Sequence, residues 1–109
     1  MYYISKKLEI SGSHHLVLDH ESKCCNHHGH NWQVEVFCKS ESLDKNGMVV
    51  DFSHISSVVN RLDHHDLNEI LRMNSTSENI ARWICEQVPH CYKVSVMETA
   101  GNMVVYEKD

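Results

Sequence analysis

The chain changes its hydrophobic period twice in 109 residues, and this limits the folds open to it more than any single residue does. From Tyr2 to Ile10, the residues Ile4, Leu8 and Ile10 are apolar while Ser5, Lys7 and Glu9 are not. That alternation belongs to a strand with one buried face, although Lys6 breaks it. Trp32, Val34, Val36 and Cys38 repeat the pattern against Gln33 and Glu35, and Asn46-Gly47 marks a turn. The period then lengthens. Phe52, Ile55, Val59 and Leu62 recur at helical spacing behind Asp51, an acid suited to a helix N-terminus. Ser75 and Glu78 read as a capping box for a second helix, running from about residue 76 to Val88 and stopped by Pro89. Val94 and Val96 restore the alternation, Ala100-Gly101-Asn102 supplies a turn, and Met103 to Tyr106 forms a last strand. The order β-β-α-α-β-β predicts a single α+β domain over residues 1–109.

Composition removes several classes of function. With 41% hydrophobic and 23% charged residues the chain is an ordinary globular one, long enough for a single core. No apolar run approaches the roughly 20 residues of a membrane helix, and the N-terminal MYYISKKLEI lacks the unbroken apolar stretch of a signal peptide. Five irregularly spaced cysteines argue for thiols rather than a disulfide framework, so the expected compartment is the cytoplasm. A formal charge of -5 with ten histidines offers no basic stripe for a nucleic-acid backbone.

The chemistry concentrates in residues 24 to 30, CCNHHGH. In an extended chain, side chains at i and i+2 share a face, so His28 and His30 can converge on one ion while Gly29 leaves the other face bare. His14, in SGSHHL beyond the first strand, becomes a third ligand if the two strands pair as a hairpin. Three imidazoles without a fourth protein ligand describe a catalytic zinc site with an open position. A closed site made of Cys24, Cys25, His28 and His30 competes with it, but adjacent cysteines do not match the usual paired spacings.

SGSHHL, CCNHHGHNW, GMVVDF, LDHHDLN, STSEN and VMET occur here in the order in which similar strings occur in the 6-pyruvoyl- and 6-carboxy-tetrahydropterin synthase family. The resemblance spans nearly the whole chain. Cys24 lies four residues before His28, which resembles the short loop of the carboxy-forming enzymes of queuosine biosynthesis. The resemblance implies zinc as cofactor on His14, His28 and His30, Cys24 as catalytic thiol, Asp63 and His64 as a catalytic pair, and Glu98 as the carboxylate that anchors the pterin and joins the proton relay. Cys25 and His27 become bystanders. It also implies the tunnelling fold, a four-stranded antiparallel sheet with two helices on one face, assembled into homotrimers and usually homohexamers with sites between subunits. The implied reaction converts 7,8-dihydroneopterin triphosphate to 6-carboxy-5,6,7,8-tetrahydropterin, acetaldehyde and triphosphate. Formation of the pyruvoyl product is the alternative, and a non-catalytic zinc- or pterin-binding protein on the same scaffold is another. Four positions depart from the family pattern: Ile10 where an aromatic is frequent, Gly12-Ser13 for Ala-Ala, His15 for arginine, and Ser75 for proline.

The residue types suit such chemistry. A cation polarises side-chain oxygens and lowers the pKa of a nearby thiol from about 8.5, making Cys24 a competent base. An imidazole oriented by a carboxylate, as His64 by Asp63, exchanges protons near neutral pH. An ionised carboxylate such as Glu98 accepts two parallel N–H bonds from an amino-pyrimidine edge.

Overall fold

The computed structural model describes the backbone of residues 1–109 and every side chain except those of Cys24 and Thr99. Strand β1 (Tyr2–His14) and strand β2 (His28–Ser40) form a long antiparallel pair. A single 3-10 turn at Lys23–Cys25 lies in the loop between them. Helices α1 (Phe52–Val59), α2 (Leu67–Leu71) and α3 (Ser77–Gln87) follow, then β3 (Cys91–Thr99) and β4 (Asn102–Glu107). The sheet order is β1-β2-β3-β4, antiparallel throughout. Among the described residues, no helix is long and apolar enough to cross a membrane.

Register explains the core. Ile10 pairs with Trp32, Leu8 with Val34 and Lys6 with Val36, while Val34 and Val36 pair in turn with Val96 and Val94. These residues share one sheet face, which the helices cover with Ile55, Val59, Leu67, Ile80 and Ile84, all fully buried. Lys6 keeps the alternation after all. It is half-buried on the helix side, and its Nζ reaches over apolar neighbours to donate to the Phe52 carbonyl at 3.4 Å.

Three sequence expectations are corrected. The first helix stops at Val59, three residues short of Leu62. Bonds from Leu62 N to Val59 O and from Asp63 N to Asn60 O tighten the chain into a turn that still buries Leu62. The short helix α2 was not expected; it is capped by Asp66, which accepts from Asn68 N. The N-cap of α3 is Thr76, whose hydroxyl accepts from Asn79 N at 3.1 Å, and not Ser75. Ser75 is fully buried and turned toward β1.

Strand β1 also runs four residues beyond Ile10. Ser11, Gly12 and Ser13 carry no apolar alternation, yet backbone pairing to Asn31, His30 and Gly29 holds them extended. This extension places His14 inside the sheet, directly opposite His28.

Candidate metal centre

His14, His28 and His30 come together at one end of the sheet, on the same face as Ile10 and Trp32. His14 and His28 face each other across the strands, and Gly12 lies opposite His30. The ring centroids are 4.5 Å apart for His14 and His28, 5.8 Å for His14 and His30, and 5.6 Å for His28 and His30. The indole of Trp32 packs edge-on beneath two of them, at 5.0 Å from His14 and 5.3 Å from His30. The pattern H-x-H therefore puts both imidazoles on one face, as expected, and the hairpin brings in the third.

Each of two rings has one nitrogen committed to a backbone carbonyl. His14 Nδ1 lies 3.0 Å from the Ser75 carbonyl oxygen, and His28 Nδ1 lies 2.7 Å from that of Asn26. A carbonyl only accepts, so each Nδ1 carries the proton and each Nε2 presents a lone pair. His14 Nε2 is buried and has no hydrogen-bond partner among the described residues. Burial holds this imidazole below the ordinary histidine range; the His28 and His30 rings push the same way, against the Ser75 carbonyl and the Glu98 carboxylate. His14 is therefore neutral at pH 7, and its contact with Glu98 is not an ion pair.

Glu98 completes the cluster. It shares the parity of Val94 and Val96 on β3, so it projects from the same face as the histidines. Its Oε1 lies 2.8 Å from His30 Nε2 and 3.6 Å from His14 Nε2, and its Oε2 accepts from Ser77 Oγ at 3.3 Å. Ligand atoms of His14, His28 and Glu98 all fall within 4.8 Å of one another. The sequence reading gave Glu98 to the pterin and the proton relay; the structure also puts its carboxylate among atoms that could hold a metal ion, a nearness that no local pattern in the sequence signals. The chemistry of this set, unpaired imidazole lone pairs around a carboxylate oxygen in a partly buried site, fits a divalent cation such as zinc. The cluster opens into a cavity of about 460 Å³ lined by Leu16, Thr76, Ser77, Glu78, Asn102 and Met103 among others.

Asp63 and His64 form a pair but stand elsewhere. Asp63 Oδ1 accepts from Ser11 N at 2.8 Å and lies 3.2 Å from His64 Nδ1. His64 has a positive φ of 60°, a conformation fixed by its N–H bonding to the Ser11 carbonyl. Its exposed ring borders a different opening, lined by Ser11, Gly12, Ser13, His64, His65 and Asp66, which shares no lining residue with the cavity beside Glu98. Within one chain the expected catalytic pair is thus not brought to the metal cluster. The side chain of Cys24, the expected thiol, lies outside the described residues; the neighbouring Cys25 is half-buried, with Sγ 3.8 Å from the His20 carbonyl.

With this geometry in place, comparison with known proteins is specific. Residues 3–109 match the family model described as 6-pyruvoyl tetrahydropterin synthase. The chain is 37% identical to the 6-carboxy-5,6,7,8-tetrahydropterin synthase of Synechocystis sp., over 97% of this chain and 93% of that protein. It is 31% identical to the 6-pyruvoyl tetrahydrobiopterin synthase of Homo sapiens, over 95% and 90% of the two chains. Among solved structures it is similar to Caenorhabditis elegans 6-pyruvoyl tetrahydropterin synthase, with a TM-score of 0.76, 27% identity, and 99% and 96% of the two chains covered. The shared four-stranded sheet with helices between its second and third strands is the tunnelling fold of these enzymes. The match to the family model over nearly the whole sequence, joined to an imidazole cluster on that fold, places the chain in the 6-pyruvoyl tetrahydropterin synthase family.

Proposed function

We propose that the protein is a zinc-dependent 6-carboxy-5,6,7,8-tetrahydropterin synthase of queuosine biosynthesis, a cytoplasmic lyase acting on 7,8-dihydroneopterin triphosphate. The observation that carries this reading is the orphaned Nε2 of His14. It is buried without a hydrogen-bond partner among the described residues, with its proton fixed on the opposite nitrogen, and lies close to His28, His30 and Glu98. The name and near full-length match of the Synechocystis relative favour the carboxy-forming reaction over the pyruvoyl-forming one.

His14, His28 and His30 would hold the zinc, which when bound supplies Lewis acidity to the hydroxyl oxygens of the substrate side chain. The remaining work belongs to the chain. Glu98 receives the amino-pyrimidine edge of the pterin, with Ser77 steadying its other oxygen. Cys24 takes a proton from the side-chain carbon, its thiolate favoured by the neighbouring cation. His64, oriented by Asp63, delivers or receives the second proton. Since His64 borders a separate opening in one chain, this reading needs a second copy to bring its Asp63-His64 pair to the site, as in a homotrimer or homohexamer. The substrate with one water would give carboxytetrahydropterin, acetaldehyde and triphosphate.

Mass spectrometry of the products formed from dihydroneopterin triphosphate tests the assignment. Carboxytetrahydropterin and acetaldehyde support it; a pyruvoyl product moves the protein to the other branch; unchanged substrate with bound pterin leaves a binding protein. Purified protein should also carry one zinc per chain, and His28→Ala should lose it.

A further inference from the structure

We propose that Asn68 and Asn74 are positioning residues that clamp the chain leaving β1, Asn68 keeping His14 at the metal and Asn74 keeping Leu16 at the wall of the pterin cavity. The proposal rests on the zinc and pterin reading above. Each amide takes both backbone groups of one residue. Asn68 Oδ1 accepts from the His15 N–H at 2.9 Å, and its Nδ2 donates to the His15 carbonyl at 2.9 Å. Asn74 does the same for Val17, at 2.9 and 3.1 Å. Residues 15 and 17 lie beyond the last pair of β1 with β2, which is His14 with His28. Two bonds to every second residue are what a neighbouring antiparallel strand would supply, and here two side chains supply them.

The clamps complete a longer edge. The Ser11 N–H donates to Asp63 Oδ1 at 2.8 Å, the Ser11 carbonyl accepts from His64 N, and the Ser13 N–H donates to the His65 carbonyl at 3.1 Å. From Ser11 to Val17, every second residue is thus bonded to the segment 63–74, on the edge of β1 away from β2. A chain end that has lost its partner strand opens easily when water alone receives its backbone groups. The amides remove that freedom at residues 15 and 17. His14 and Leu16, the alternate residues, both line the cavity beside Glu98. Neither asparagine lines that cavity, so each acts on it through the residue it grips.

The facing wall is tied to the same clamps. Thr76, Ser77 and Glu78 line the cavity from the start of α3. Asn79 Nδ2 donates to the Asn74 carbonyl at 2.8 Å, and the Asn79 N–H donates to Thr76 Oγ1 at 3.1 Å, so Asn74 links Val17 to the first turn of that helix. Asn68 is linked to the site through Ser75, whose hydroxyl donates to Asn68 Oδ1 at 3.0 Å and whose carbonyl holds His14 Nδ1. The two amides therefore divide the work. Asn68 grips the residue next to His14, and its loss is felt first in the placing of that imidazole. Asn74 grips the residue next to Leu16, and its loss frees Leu16 while Ser75 and Asn68 still hold His14.

Four variants separate this division from a general loss of stability: Asn68→Ala, Asn68→Asp, Asn74→Ala and Asn74→Asp. Aspartate matches asparagine in size and keeps the acceptor, but sets an oxygen against the backbone carbonyl that the amide served. Zinc affinity is measured against a chromophoric chelator, the cobalt-substituted protein by its visible absorption, and binding of 7,8-dihydroneopterin to the zinc protein by calorimetry, with circular dichroism to establish folding. Both Asn68 variants are expected to bind zinc about 10-fold more weakly, the low end for loss of an outer-shell partner, and to change the cobalt bands. Both Asn74 variants should keep the zinc affinity and cobalt bands of wild type and bind dihydroneopterin about 5-fold more weakly, the worth of one net hydrogen bond. Unchanged zinc affinity in folded Asn68→Asp would overturn the role of Asn68, and unchanged dihydroneopterin binding in folded Asn74→Asp that of Asn74. Equal losses of zinc and dihydroneopterin in all four variants would also overturn the proposal, because loosening of the whole fold would then explain them. In each of these cases wild type that binds zinc and dihydroneopterin leaves the zinc and pterin reading standing. Wild type that binds neither overturns both.

Discussion

Nδ1 of His14 lies 3.0 Å from the carbonyl oxygen of Ser75, so the backbone just before α3 sets which nitrogen of a buried imidazole is free to bind. The hydroxyl of Ser75 has other work. It lies 3.0 Å from Asn68 Oδ1, and Asn68 in turn bonds both the N–H and the carbonyl of His15. Side chain and main chain therefore separate in their effects. Ser75→Ala should lose about 1 kcal/mol of stability, the usual worth of one hydrogen bond, and should keep zinc affinity because the carbonyl remains. Denaturant unfolding and chelator competition check the two halves. A large fall in zinc affinity would mean that the hydroxyl, 3.2 Å from the same Nδ1, is the true orienting group.

Gly12 meets Leu67 and the backbone of His65 closely. A Cβ built at Gly12 would lie 2.6 Å from Leu67 Cδ1 and 2.9 Å from the His65 carbonyl oxygen. The leucine tip can move, but the carbonyl is held by the Ser13 N–H at 3.1 Å. In this chain glycine stands there because the 62–67 segment docks directly on β1. Gly12→Ala should cost about 1–3 kcal/mol, the usual cost of overpacking. It should also displace the segment carrying Asp63 and His64. A melting temperature equal to wild type would show that the segment adjusts freely.

Cys38 and Cys91 stand opposite each other across β2 and β3, and Cys85 packs close by from α3; all three are buried. Desolvation pushes the Cys85 thiol up to about 12. The hydrogen bond from Cys91 to Cys38 raises Cys91 and lowers Cys38. Cys85 stays protonated in the folded chain at pH values where an unfolded thiol, near 9, has ionised. The native state then holds more protons than the unfolded one, so stability falls as pH rises from about 9 to 11. Urea unfolding across that range should show the loss, and Cys85→Ala should flatten it by about 1.4 kcal/mol per pH unit. An equal slope in the variant would mean that this thiol is not shielded.

Much of the fold was legible because apolar alternation and burial coincide: Trp32, Val34, Val36 and Cys38 line the core side of β2 as their spacing implies. What escaped the sequence reading has local causes. Residues 11–13 are strand only through pairing with β2, so no side-chain pattern announces them. Helix α2 has five residues and two buried leucines, too few for a period to stand out. Ser75 and Thr76 are both good caps, and only the tertiary contact of Ser75 with His14 decides between them. At the site, H-x-H was readable because two-residue periodicity is local. The place of Glu98 beside the imidazoles was not, since its nearness to His14 and His30 is produced by the pairing of three strands.

The separation of His64 from the histidine cluster leads to the last prediction. Asp63 and His64 are anchored to β1 through Ser11, and His64 faces an opening that shares no residue with the cavity beside Glu98. Bringing that imidazole to its own chain's metal would mean breaking the anchor, whereas a neighbouring copy can present it as it stands. If Cys24 of one chain works with His64 of another, each single variant, Cys24→Ala or His64→Ala, should be inactive alone. An equal mixture, unfolded and reassembled together, should recover activity. An interface is intact only when the thiol side comes from a His64→Ala chain and the imidazole side from a Cys24→Ala chain. Random assembly around a closed ring meets that condition in about one interface in four. Recovery near a quarter of wild-type activity, with mixed oligomers shown by a mass-tagged partner, supports a site built between chains. Mixed oligomers without activity would mean that both residues serve the same chain, and that the 62–66 segment must leave β1 during the reaction.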